Sequence, residues 1–313
     1  MKVMRFHEFG GPDVLRYEEI ETPAPGVEEV RIRVAGTAFN GVDAGIRGGY
    51  LQAPFPVVLP HTPGIDVAGT VDAVGDRVAN IKVGDRVVGF LPITADGAAA
   101  EYVVALAEIL APAPTSIPLS DAAALPIVGL TAWQALFDDA GLAAGQRVLI
   151  NGAGGGVGGY AVQLAKWADA HVIATASPRS SERVTAAGAD EIIDHTTTDV
   201  TLAEPVDALL NLARISAEQL VELAALVRPG GVVVNTVPTI PTPADEERGV
   251  RAVGVFVRSD PAQLSQLVEM VDRGELHVDV AERVPLAGLP QIHARADAGE
   301  LSGKVVVLAT GGD

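Results

Sequence analysis

The stretch Arg147-Val148-Leu149-Ile150-Asn151-Gly152-Ala153-Gly154-Gly155-Gly156-Val157-Gly158-Gly159-Tyr160 carries an apolar, strand-like run into a glycine cluster and leaves it through Ala161–Ala168, whose apolar spacing is helical. Strand, tight turn and helix N-terminus stand in the order that a pyrophosphate-binding turn requires. Glycines let the backbone close on the phosphates, whose charge then meets free N–H groups and the positive end of the helix dipole. Two registers fit, Gly154/Gly156/Gly159 as G-x-G-x-x-G and Gly152/Gly155/Gly158 as G-x-x-G-x-x-G, and the candidate contacts are Gly152, Gly155, Gly156, Val157 and Gly158. A purely structural glycine turn is the competing reading, and the strand-like run that follows on schedule at His171–Ala176 weighs against it.

That second run chooses between nicotinamide cofactors. An acidic residue about 20 positions on holds a ribose 2′-hydroxyl, whereas an arginine accepts a 2′-phosphate. The segment His171-Val172-Ile173-Ala174-Thr175-Ala176-Ser177-Pro178-Arg179-Ser180 has no carboxylate at its end. Ser177, Arg179 and Ser180 instead offer hydroxyls and a guanidinium suited to a phosphate monoester, so NADPH is favoured over NADH. Arg183 reads as a solvated arginine on a helix face.

Outward from this core, apolar runs at Val148–Asn151, Val172–Ala176, Ile192-Ile193, Ala208–Leu210, Val232–Val234 and Val253–Val257 alternate with helix-like segments, which argues for βαβ units and a parallel sheet. A helix capped at Ser120-Asp121 and running towards Asp139 is expected ahead of them, and Pro238–Gly249, with three prolines, reads as a loop. The first ~115 residues have another texture, short β-branched runs such as Val30–Val34 and Val67–Val74 broken by Gly and Pro, typical of a β-rich barrel-like domain. Ala111-Pro112-Ala113-Pro114 and Pro118 break the chain, placing a boundary near residue 118. After a helix at Pro261–Arg273, strand texture returns in the tail, closing on Lys304–Leu308.

Composition removes whole classes of chemistry. The 313 residues carry a formal net charge of −18, with 22 basic residues of which only Lys2, Lys82, Lys166 and Lys304 are lysines, so there is no basic footprint for nucleic acid or anionic membrane. With no cysteine, thiolate metal sites, disulfides and cysteine nucleophiles are excluded. The N-terminus lacks a secretory apolar stretch and no window suits a membrane span, so a cytoplasmic protein without membrane or nucleic-acid partners is expected. No tyrosine is followed four residues later by lysine, which closes the short-chain dehydrogenase reading.

Two further stretches, Asn40-Gly41-Val42-Asp43-Ala44-Gly45-Ile46-Arg47-Gly48-Gly49-Tyr50 and His61-Thr62-Pro63-Gly64-Ile65-Asp66 through Gly75, join the glycine cluster, Gly84-Asp85-Arg86-Val87 and Gly129-Leu130-Thr131-Ala132-Trp133 in one order along the chain. Together they make the chain resemble the zinc-free medium-chain dehydrogenase/reductases of the quinone oxidoreductase, zeta-crystallin-like group. The resemblance implies an α/β protein: a GroES-like β-rich catalytic domain from residues 1–118 and 276–313, a doubly wound parallel-sheet Rossmann domain over 119–275, and the cofactor in the cleft.

Zinc-dependent relatives place a cysteine near Asn40 and Gly-His-Glu where this chain has Gly64-Ile65-Asp66, and Ile65 cannot ligate a metal. His61 and Asp66 remain as a possible metal pair, against the simpler reading of a turn histidine and a structural carboxylate. The implied chemistry is zinc-independent hydride transfer from NADPH to a small-molecule quinone or α,β-unsaturated carbonyl (enone), with a non-catalytic NADPH-binding protein as the alternative. By resemblance Asn40 and Thr131 lie near the nicotinamide, and Tyr50 lines the substrate cleft as the best proton donor, with water its competitor. Asp43 and Arg47 form a polar pair beneath, most simply an i, i+4 ion pair. His195 covers the adenosine part, Asn211, Thr236 and Val237 stand at strand ends, and Phe256 and Val257 reach towards the nicotinamide. Lys304 enters from the returning tail as a ligand or as a snorkelling strand-end lysine. A homodimer through the edge run Ala252–Val257 is also implied.

Overall fold

Val30, Ile32 and Val34 alternate with Arg31 and Arg33, and the chain from Glu29 to Ala38 forms a strand with its aliphatic side chains buried. In the computed structural model, which describes residues 1–309, it is the third strand. β1 (Lys2–Phe6) and β2 (Leu15–Glu19) precede β3 (Glu29–Ala38) as an antiparallel pair. The short helix α1 (Gly41–Arg47) follows, then β4 (Asp66–Val74), β5 (Arg86–Phe90), β6 (Tyr102–Leu106) and β7 (Leu110–Pro112). Strands β3, β4, β5 and β7 pair antiparallel in that order, and β6 lies along the first half of β3. Val30, Ile32, Val34, Val67, Val71 and Val87 form their common core.

The chain then enters α2 (Pro126–Trp133) and a π-helical turn at Gln134–Asp139. Beyond it come β8 (Arg147–Asn151), α3 (Gly156–Trp167), β9 (His171–Ala176), α4 (Ser181–Ala186), β10 (Glu191–Asp194), β11 (Val206–Asn211), α5 (Ala217–Ala224), β12 (Val227–Asn235) and β13 (Arg251–Gly254). The six strands make one parallel sheet in the order β10-β9-β8-β11-β12-β13. Ile173, Leu149, Leu209 and Val233 stand side by side across four strands and pack with Leu220 of α5. Val148 and Ile150 are equally buried on the other face, as expected of a parallel sheet covered on both sides. Each such side chain contributes about 1.5–3 kcal/mol by leaving water. Strand order reverses between β8 and β11, and at such a switch point an open α/β sheet binds ligands beyond its carboxyl ends.

The return segment supplies α6 (Pro261–Asp272), β14 (Val280–Pro285), α7 (Leu289–Asp297) and β15 (Lys304–Leu308). β15 pairs antiparallel with β3 and parallel with β14, completing the seven-stranded sheet. A GroES-like unit and a Rossmann-like parallel sheet are thus both present.

Three sequence expectations shift. Contacts divide the chain at 127/128 and 258/259 rather than at 118/119 and 275/276. α6 packs on β7, and its Asp272 accepts hydrogen bonds from the Thr115 and Ser116 backbones, which joins that helix to the first unit. The helix expected from Ser120 is a 3₁₀ segment, Leu119–Ala124, followed by a separate α2, because Pro126 lacks the N–H that would continue it. Asp121 there is no cap but the bidentate partner of Arg283, at 2.7 and 2.6 Å. The strand expected over Val253–Val257 ends at Gly254, while Pro238–Gly249 is the loop expected between β12 and β13. Among the described residues no helix is long and apolar enough to cross a membrane.

Candidate functional site

In the parallel-sheet unit the glycine turn follows β8 and Gly155 is the N-cap of the 12-residue α3. Glycines of both registers sit in tight places: a Cβ on Gly154 would fall 2.3 Å from Ser180 Oγ, while one on Gly155 would lie 3.5 Å from the Gly152 carbonyl. Gly152 turns with φ +89°, a backbone conformation that disfavours a Cβ, and a Cβ on Gly158 would collide with the Ala153 backbone, whereas one on Gly159 would meet nothing. The Gly152 N–H is already donated to Thr175 Oγ1 at 2.9 Å, so Gly152 shapes the turn and has no N–H left for a ligand. Gly156, Val157 and Gly158 open α3, and the first N–H groups of a helix have no partner within it; they form the anion-facing edge of the turn. This cradle fits a dinucleotide pyrophosphate.

Beside it, β9 ends at Ala176 and the chain turns through Ser177–Ser180. The Ser177 N–H donates to Ser180 Oγ at 3.2 Å, burying Ser180, while Arg179 remains exposed. Arg183, read from the sequence as solvated, instead donates through Nη2 to the Gly154 carbonyl at 3.2 Å and joins the turn. His195, exposed, follows β10 with its N–H on the Ala176 carbonyl. Ser177, Ser180, Arg183 and His195 thus flank the glycine turn around the end of β9.

Sequence reading missed a polar ladder along the carboxyl ends of the sheet. Thr175 Oγ1 donates to Asn151 Oδ1 at 2.8 Å, Asn151 Nδ2 to Asn211 Oδ1 at 2.8 Å, and Asn211 Nδ2 to Asn235 Oδ1 at 2.9 Å. Asn235 Nδ2 donates on to the Val237 and Ile240 carbonyls. All four side chains are buried, so this mutual satisfaction is what makes them tolerable there. The available signal was an asparagine as the last residue of β8, β11 and β12. The ladder fixes the start of the loop that carries Thr236 and Val237, whose N–H groups go to the Asn211 carbonyl and Asn235 Oδ1. Thr131 lies buried in α2, and Phe256 lies 71% exposed beyond β13. Val257 is half-buried, next to Arg258, which exchanges two hydrogen bonds with Gln134.

In the GroES-like unit, Asn40 is the N-cap of α1, and Asp43 Oδ2 accepts its backbone N–H at 2.9 Å. The Asn40 side chain lies in a buried cluster. Its Nδ2 donates to the Ala38 carbonyl and, at 2.8 Å, to Asp66 Oδ2, while its Oδ1 accepts from Lys304 Nζ. Lys304 also donates to the Phe39 carbonyl and to Asp66 Oδ2, each at 3.3 Å. Burial pushes the Asp66 carboxyl upward, opposed chiefly by the ammonium and then by Asn40 and the Ile127 N–H. Asp43, fully enclosed, is raised to about 6 by burial despite hydrogen bonds from Gly64 and Asn40. It is not paired with Arg47, whose buried guanidinium reaches Asp297 at 2.7 Å instead. His61 lies edge-on to Phe6 and apart from the Asp66 cluster's hydrogen bonds. Tyr50 stands three residues beyond α1 and is 84% exposed.

Two family models match the chain, an alcohol dehydrogenase GroES-like domain over residues 26–115 and a zinc-binding dehydrogenase over residues 187–307. A chloroplast envelope quinone oxidoreductase homolog of Arabidopsis thaliana is 32% identical over 98% of each chain. The solved quinone oxidoreductase of Coxiella burnetii has a TM-score of 0.90 at 28% identity, covering 99% of both chains. A solved NAD-dependent alcohol dehydrogenase gives the same TM-score, 0.90, at 30% identity over 99% of this chain and 100% of the other. The zinc in the second model's description does not suit the residues here. Ile65 is no ligand, the oxygens of Asn40 and Asp66 are turned onto an ammonium, and among the described residues no three His, Cys, Asp or Glu side chains converge.

Proposed function

Because this chain belongs to the quinone oxidoreductase group of the medium-chain dehydrogenase/reductases, a family of oxidoreductases, we propose that it is an NADPH-dependent, zinc-independent reductase of quinones or α,β-unsaturated carbonyls. The observation that carries this reading is the glycine turn opening onto Ser177, Arg179 and Ser180, with no carboxylate at the end of β9 and Arg183 drawn in at Gly154. The fold alone is neutral on the cofactor, since an NAD-dependent relative shares it.

The dinucleotide, when bound, supplies hydride to the electrophilic carbon or oxygen of the substrate. The N–H groups of Gly156, Val157 and Gly158 receive the pyrophosphate, and the serines with Arg179 receive the 2′-phosphate. Thr236, Val237, Phe256 and Val257 are the candidate nicotinamide contacts of the parallel-sheet unit, with His195 on the adenosine side. Tyr50, exposed and phenolic, is the protein's candidate proton donor, with water as its competitor. A homodimer through β13 accords with that strand's place at the sheet edge, and gel filtration giving a monomer at all concentrations would remove it.

The test follows NADPH oxidation by near-ultraviolet absorbance with a benzoquinone, a phenanthrenequinone and a short-chain alkenal, in parallel with NADH and with a chelator. Turnover with NADPH, weak use of NADH and indifference to chelation are expected. Saturable NADPH binding without turnover on the whole panel would overturn the catalytic reading and leave a dinucleotide-binding protein.

A further inference from the structure

We infer that Lys304 is a positioning residue, a fixed internal cation that orients the Asn40 carboxamide and the Asp66 carboxylate and makes no contact with the cofactor. An ammonium has three donors and no acceptor. Here all three are directed inward, to Phe39 O, Asn40 Oδ1 and Asp66 Oδ2, and only 5% of the residue is exposed. Nothing is left for a phosphate or a ribose. The register explains how the lysine arrives: β15 pairs with β3 so that Val306 faces Ala38, which brings Lys304 level with Asn40 two residues further on.

Asn40 shows how the cation adds to an N-cap. An asparagine at an N-cap ordinarily turns its side-chain oxygen onto the first N–H groups of its helix. In this chain, alongside the capping box between Asn40 and Asp43, that oxygen accepts from the Lys304 ammonium. Both Nδ2 hydrogens are also committed, to Ala38 O and Asp66 Oδ2, so the carboxamide has one permitted orientation. The Asp66 carboxylate, fully buried, is satisfied by Asn40, Lys304 and the Ile127 N–H. Three oxygens converge on a tethered cation where the family description would lead one to look for zinc, and the disagreement is resolved by the lysine itself.

The activity arm of the test rests on the proposed reductase function, but the others do not. With ¹⁵N-labelled lysine in the wild-type protein, only four ammonium groups contribute, and one is expected in slow exchange and unmoved by NADPH. A Lys304 signal that shifts on NADPH addition, or the absence of any slowly exchanging ammonium, would overturn the inference. Lys304→Ala should lower the unfolding midpoint and reduce kcat at least tenfold while the NADPH dissociation constant stays within about twofold. n-Propylammonium, which restores the missing stem and charge, should recover both losses, and 1-propanol should not. Lys304→Met, which keeps the stem without the charge, should show the same kcat defect with no amine rescue. A Lys304→Ala protein with NADPH affinity weakened tenfold, or indifferent to the amine, would refute the positioning role. If the wild type binds no dinucleotide, the reductase reading fails, while the exchange measurement and the amine rescue of the midpoint still decide the role of Lys304.

Discussion

His293 and Asp43 should give opposite acid responses to stability, and replacing either should expose the other. His293, on α7, is completely buried, lies edge-on to Phe39 at 4.9 Å, and has no hydrogen-bond partner for either ring nitrogen among the described residues. Burial first, then the nearby Arg47 charge, lowers it from 6.5 to about 3. Asp43, lining the same small cavity, is raised from 3.8 to about 6. A base with a depressed folded pKa loses stability as the pH falls below 6.5, because only the unfolded chain takes up the proton. An acid with a raised folded pKa loses stability as the pH rises from 3.8 to about 6, where only the unfolded chain is ionised, and loses no more above that. At about 1.4 kcal/mol per pH unit, moving from pH 8 to pH 5 removes about 2 kcal/mol through His293 and restores about 1 kcal/mol through Asp43. The two partly offset each other in the wild type. His293→Phe, which keeps the ring contact with Phe39, should therefore improve the pH 5 stability relative to pH 8 by about 2 kcal/mol over wild type. Asp43→Asn should worsen the same difference by about 1 kcal/mol, on top of a pH-independent loss from its hydrogen bonds to Asn40 and Gly64. Urea unfolding at the two pH values reads both, and comparison with wild type cancels every other titrating group. A His293→Phe protein whose pH dependence parallels wild type would refute the reasoning.

Gly158→Ala should weaken dinucleotide binding at least tenfold, because its methyl collides with the Ala153 backbone, whereas Gly159→Ala, facing open space, should bind within about twofold of wild type; fluorescence titration compares them. Arg179→Ala should raise the NADPH dissociation constant by roughly 1–3 kcal/mol worth of affinity while leaving NADH nearly unchanged, and equal losses for both would remove the 2′-phosphate assignment. Tyr50→Phe should lower kcat by about tenfold to a hundredfold if the phenol delivers the proton, and an unchanged kcat with the solvent isotope effect intact would assign the proton to water.

The parallel-sheet unit was legible because its signals are local. A strand, a glycine turn and a helix lie together between Arg147 and Trp167, and each strand buried on both faces announces itself as an unbroken apolar run, as Val148–Ile150 and Val232–Val234 do. The absence of a carboxylate after Ala176, the loss of the zinc ligands at Ile65 and the lack of any cysteine are also plain in the order of residues. The division by contacts at the return differs from the boundary read from the sequence because α6 has no sequence mark saying which body it packs on; its contact with β7 and the Asp272 bonds to Thr115 and Ser116 span some 157 positions.

What the sequence determined by itself was therefore the family and the strand, glycine turn and helix order of the parallel-sheet unit, fixed by residue type at short spacing. Tertiary structure decided that Arg47 turns from Asp43 to Asp297, that Asn151, Asn211 and Asn235 form one ladder, and that Lys304 ends on Asn40 and Asp66. Those outcomes depend on partners 24 to 264 residues apart in the chain. A buried polar group takes whichever partner the fold brings within hydrogen-bond reach, and that choice is absent from local spacing because strand register and helix packing alone make it.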